Sequence, residues 1–88
     1  MNIIWDEAKR ESNLHKHGID FLDIQDIFDS HTVTFEDARN YDEERFITIG
    51  LLRFQVVVVV YAYRDENAIR LISARRATKY EQKLFFST

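Results

Sequence analysis

Val56-Val57-Val58-Val59-Val60-Tyr61-Ala62, followed across Asp65-Glu66-Asn67 by Ala68-Ile69-Arg70-Leu71-Ile72-Ser73-Ala74-Arg75-Arg76, decides the fold. Successive side chains of a strand point to opposite faces, so an unbroken valine run is apolar on both. Such a strand is central and covered, at least partly, on each side. The polar triplet 65–67 reads as a hairpin turn, which makes the second stretch the antiparallel neighbour of the first. On that neighbour strict alternation puts Ile69 and Leu71 on one face and Arg70, Ile72 and Ala74 on the other. Arg75 and Arg76 fall where the strand should end.

Working outward, Arg45 to Leu51 alternates with Ile47, Ile49 and Leu51 on one side, and Leu52-Arg53 turns it into a strand from Phe54 to Tyr63. Thr32 to Glu36 is a further strand with Val33 and Phe35 on one face, joined to the next by a polar connection over 37–44. Ile3 to Trp5 is a short strand. Asp6 caps a helix running to about His17, with Glu7 in its first turn and Lys16 and His17 in its last, as the macrodipole favours. Gly18 supplies the left-handed residue that ends it, and Ile19 the hydrophobic contact that follows. A second short helix starts after Asp20, with Phe21, Ile24, Ile27 and Phe28 at helical spacing. Thr78 and Glu81 form a capping box for a last helix with Tyr80, Leu84 and Phe85 on one face. The fold class is therefore α+β: a small antiparallel meander with two N-terminal helices and one C-terminal helix packed on it, in the order β-α-α-β-β-β-β-α.

The chain of 88 residues is expected to form one domain over 1–88. A hydrophobic content of 45% with 14% aromatics points to a packed globule rather than disorder. No cysteine is present, which excludes disulfides and thiolate metal sites and fits a cytoplasmic protein. The longest apolar run, Val56 to Ala62, is too short to span a bilayer, and the first residues lack a signal-peptide pattern, so no membrane association is expected. The net charge of -3 conceals an asymmetry: residues 20–44 hold nine acids against Arg39 alone, whereas residues 45–88 hold eight Lys or Arg against three acids. The acidic total argues against tight, indiscriminate binding of nucleic acid, while the basic C-terminal half leaves room for a local anion site.

Arginines on an apolar strand are costly unless an anion meets them. Arg70, Arg75 and Arg76 therefore point to a phosphate site, because the guanidinium fork suits bidentate contact with phosphate oxygens. Arg64 strengthens this reading: if the 65–67 turn closes a hairpin, Arg64 lies near Arg70, and paired cations repel unless an anion sits between them. The competing reading is that Arg70 and Arg75 pair with acids such as Glu81, Asp65 or Glu66 and only stabilise the strand end. On the first helix Lys9, Asn13, Lys16 and His17 fall at i, i+4, i+7 and i+8 and share one face. Histidine is the residue type suited to acid–base work near neutrality, which singles out His17 on that face. The competing reading there is a solvated helix face.

Metal and cofactor sites are not expected. His15 and His17 point to nearly opposite sides of a helix, His31 is distant, and Asp20, Asp23, Asp26 and Asp29 recur at a spacing that drifts around a helix. Gly18 and Gly50 lie in no phosphate-cradling loop, and Ser73 lies in no nucleophile-elbow pattern. Trp5 and Tyr61 read as core or half-buried residues rather than base-stacking ones.

The segments Ile4-Trp5-Asp6 with Lys9 and Asn13, then Lys16-His17-Gly18-Ile19, then Ile69-Arg70-Leu71-Ile72-Ser73-Ala74-Arg75 with Ala77 and Glu81, resemble the BrnT family of ribonuclease toxins. The resemblance spans nearly the whole chain. It implies a RelE-like fold and growth arrest through RNA cleavage. It also implies neutralisation by a DNA-binding antitoxin (ribbon-helix-helix, BrnA-like), with operator DNA reached only through the toxin–antitoxin complex. On this reading the chain is a metal-independent endoribonuclease that uses the RNA 2′-hydroxyl as nucleophile. Arg70 and Arg75 would hold the scissile phosphate, with Arg64 assisting, and His17 would move protons, with Lys9 or a water as substitute. Arg45 and Glu81, the latter orienting Arg75, are secondary candidates for the substrate-binding set with Lys9. The alternative is a non-catalytic co-repressor module that binds the partner without cutting RNA.

Overall fold

The valine run lies in β4 (Gln55–Asp65), the middle strand of a five-stranded sheet ordered β1-β5-β4-β3-β2. The computed structural model describes residues 1–39 and 42–88. The other strands are β1 (Asn2–Ile4), β2 (Thr32–Asp37), β3 (Arg45–Leu52) and β5 (Ala68–Arg76). The helices are α1 (Glu7–His17), α2 (Ile24–Phe28), entered through a 3₁₀ turn at Phe21–Asp23, and α3 (Lys79–Phe86). The expected order of elements holds. The connection expected over 37–44 differs at its start, since Asp37 closes β2; its residues 40 and 41 lie outside the described residues.

Both faces of β4 are buried, as a run of β-branched side chains requires. Val57, Val59 and Tyr61 pack with Ile19, Phe21, Ile24 and Ile27 beneath α2. Val58 and Val56 pack on the other face with Ile49 and with Phe85 of α3. Gly50 of β3 permits the close approach of α2: a Cβ there would come within 2.6 Å of Ile27 Cγ2. The local signals act as written. Asp6 accepts from Ala8 N–H at 2.8 Å, Gly18 takes φ 72° and donates to Leu14 O, Ile19 is buried, and Thr78 with Glu81 closes the capping box of α3. Arg53 adopts φ 56° in the tight turn between β3 and β4.

Two features depart from the simple meander. Strands β2 to β5 are antiparallel as expected, but β1 joins the free edge of β5 in parallel, so the sheet is mixed. Strict alternation also fails on β5. Val60 pairs with Ser73 and Tyr61 with Leu71, so Ile72 is an extra residue, and a bulge of this kind resets the side-chain direction beyond it. Ala74 accordingly lies fully buried with Ile69 and Leu71 rather than beside Arg70. Arg75 turns to the face that carries Arg70, opposite Val58.

Asn13, the single buried side chain of α1, attaches that polar helix to β5. Its Oδ1 accepts from Ala74 N–H at 3.1 Å while Nδ2 donates to Ala74 O and to Ile19 O, each at 2.9 Å. The side-chain amide thus continues the sheet where β1 has ended. Arg10 adds a second tie, donating to both carboxylate oxygens of Asp20 and to Glu7. Replacing Asn13 with Ala leaves buried backbone groups of Ala74 and Ile19 without partners, which costs about 1–3 kcal/mol for such a group. Chemical denaturation of Asn13→Ala is expected to show a loss of about 2–4 kcal/mol, with α1 amides exchanging first.

Candidate active site

The clamp and the bulge together build a cleft between α1 and β5. Its walls are Lys9, Ser12, Asn13, Lys16 and His17 of α1 and Ile72 and Ser73 of β5. The helix stripe at i, i+4, i+7 and i+8 therefore lines an open cleft in which Lys9 and Lys16 stay exposed, with Ser12 as a member that the stripe did not include. Ser12 is three residues from Lys9, so helical spacing alone could have found it. The chemistry follows from this lining: two ammonium groups, one imidazole, two hydroxyls and no carboxylate form a receptor for an anion. His17 is half-buried at the end of the cleft.

Arg70 and Arg75 flank the bulge on the same strand face. Each faces a carboxylate, as the competing reading held for Arg75. Arg75 makes a forked pair with Glu81 at 2.8 Å on both arms and donates to Arg76 O at 3.2 Å. Glu81 also accepts from Thr78 N–H at 2.8 Å within the capping box, so Arg75 is fixed to the first turn of α3. This ion pair, the first of several causes, holds the Glu81 carboxyl down at about 2 and raises Arg75. Arg70 instead donates to Glu43 at 2.6 Å, an acid 27 residues away that no local pattern could identify. Glu43 lies 3.9 Å from Arg45 Nε and also feels Lys9, so one exposed carboxylate gathers three cations. The Arg70 hydrogen bond is the first cause that lowers its pKa.

The remaining candidates are placed as follows. Ala62, not Arg64, lies opposite Arg70, and Arg64 occupies the irregularity between Tyr63 and Asp65 on the exposed end of β4. Of the expected site residues Lys9 and His17 line the cleft, whereas Arg45, Arg64, Arg70, Arg75 and Glu81 do not. His15 is exposed, and His31 packs on Phe85 and hydrogen bonds Thr88. Asp20 caps the 3₁₀ turn, Asp23 lies 3.7 Å from Arg53, and Asp29 accepts from Gln25. Among the described residues no group of three or more His, Asp or Glu could hold a metal ion. Trp5 packs edge-on against Phe21, and Tyr61 is buried with its hydroxyl on Thr48, so both serve the core. No helix is long and apolar enough to cross a membrane.

The fold is a small mixed sheet with α1 tied through Asn13 to β5, the strand next to the β1 edge, and with basic side chains on both elements. The family model described as "Ribonuclease toxin, BrnT, of type II toxin-antitoxin system" matches residues 5–81, and the chain belongs to this family. The crystal structure of the Brucella abortus ribonuclease toxin, BrnT, is similar at 33% identity and a TM-score of 0.74, covering 90% of this chain and 99% of that one. No curated protein matches the chain in sequence.

The Arg75–Glu81 pair makes stability depend on acid in a definite direction. A carboxyl held at about 2 when folded, against an ordinary 4.5, contributes stability above pH 4.5 that falls away as the pH approaches 2. Thermal unfolding across that interval should show a falling midpoint, and Glu81→Gln should have a lower midpoint at neutral pH with a shallower fall.

Proposed function

We propose that the chain is the endoribonuclease toxin of a type II toxin–antitoxin pair and cuts RNA without a metal ion. The observation that carries this reading is the cleft itself, with Lys9, Lys16 and His17 of α1 across from Ile72 and Ser73 of β5; Arg70 and Arg75 lie two residues to either side of that pair along the strand and do not line it. In metal-free cleavage the ribose 2′-hydroxyl attacks the adjacent phosphorus, the bond to the 5′-oxygen breaks, and a cyclic phosphate and a 5′-hydroxyl remain. The protein must bring the phosphate into line, move one proton off the nucleophile and another onto the leaving oxygen, and offset the developing charge. Arg70 and the ammonium groups of Lys9 and Lys16 supply that charge. Arg75, oriented by Glu81, presents its remaining N–H groups along the same face, and Arg45 and Arg64 hold flanking backbone. His17 is the proton-transfer group, with Lys9 or a water as its substitute. A phosphate exchanges for Glu43 on Arg70, since both offer the guanidinium an anionic oxygen pair.

Purified full-length chain is expected to cleave RNA in excess EDTA and to leave 5′-hydroxyl ends. His17→Ala is expected to lower the single-turnover rate about 10²–10⁴-fold, the usual worth of a positioned acid–base group, with unfolding unchanged. Cleavage that stops in EDTA and returns with magnesium would contradict the metal-free step.

The pairing of both arginines with carboxylates favours a second reading, a co-repressor module that binds its partner and cuts nothing. Growth arrest on expression without the partner, relieved by Arg70→Ala, separates the two, since a pure co-repressor gives no arrest. A DNA-binding antitoxin, cytoplasmic action and operator binding through the complex belong to the first reading.

A further inference from the structure

The strongest apolar exposure lies away from the cleft. Phe54, at the tip of the β3–β4 turn, is fully exposed at 103%, Phe86 of α3 is 67% exposed and Leu51 is 39% exposed. These three, with Val56 and Ala77, line one groove between the turn and α3. Arg76 is the charged residue among its lining side chains, and Gln55 and Gln82 complete it. Lys79, exposed and outside the groove's lining, stands three residues before Gln82 on the same side of α3. The acid of α3, Glu81, is turned inward to Arg75 and does not offset these cations.

We infer that this groove is where the antitoxin docks, through a segment that combines apolar side chains with carboxylates. The inference rests on toxin–antitoxin membership, which requires a protein partner, and on the charge of the rim, which selects an acidic one. Rings fully in water are unfavourable, and an apolar patch edged by polar groups marks a protein-binding surface. Aliphatic Leu51 and Val56 share the floor with the rings, which suits protein side chains better than stacked bases.

The test co-expresses the full chain with the product of the adjoining reading frame and measures co-purification and affinity. Phe54→Asp and Arg76→Glu should each weaken the complex at least tenfold, with Phe54→Asp leaving the unfolding midpoint and RNA cleavage within twofold of the parent. Phe54→Asp that still co-purifies at parental affinity overturns the inference, as does a parent chain that forms no complex with that product. Cleavage reduced with the complex intact assigns the groove to RNA instead and also overturns it. The complex is read without reference to cleavage, so an inactive parent chain would sink the nuclease reading and leave this result legible.

Discussion

The amide of Asn13 on the backbone of Ala74 is the interaction on which the rest of the arrangement depends. α1 has no apolar face that would seat it on the sheet, and Asn13 is its one buried side chain. A helix held by polar contacts alone is ordinarily marginal in water. Here the side chain mimics one strand residue, satisfying an N–H and a carbonyl that β5 exposes once β1 has ended. That substitution sets the helix at one height along β5, and the height decides which strand residues face Lys9, Lys16 and His17.

The bulge at Ile72 complements the clamp. Without it Arg75 would point into the face filled by Ile69 and Leu71, where a guanidinium has no partner. With it, Arg70 and Arg75 share one face and Ala74 fills the core. Bulges commonly re-aim a side chain next to a working site, and this one aligns two cations that are five residues apart. Like charges so placed need compensation, and the acidic middle of the chain provides it through Glu43, while α3 provides it through Glu81. The two carboxylates differ in kind. Glu81 is fixed by the capping box and acts as a strut, whereas Glu43 is exposed.

Much of this is legible in the sequence. The valine run, the Asp6 and Gly18 caps and the Thr78–Glu81 box are local signals, and each element they announce is present. The helix stripe of Lys9, Asn13, Lys16 and His17 was also readable, because helical spacing is rigid. Its division of labour was not, since Asn13 differs from its neighbours only in what it meets 61 residues away. The bulge was invisible for a related reason: alternation is a local rule, and the burial of Ala74 overrides it. Glu43 lay beyond reach because the long connection between β2 and β3 carries no periodicity that fixes which acid returns to Arg70.

The central claim is that the α1–β5 cleft receives an RNA phosphate. The most direct test titrates a short RNA whose 2′-hydroxyls are blocked into the isotopically labelled chain and follows its amide and side-chain signals. The expected shifts centre on Lys9, Ser12, Lys16, His17, Arg70, Ser73 and Arg75, with smaller ones at Glu43, Arg45 and Arg64, and weaken steeply with added salt as phosphate contacts do. Shifts centred on α2 or on the β2 edge, with the cleft signals unmoved, would contradict it.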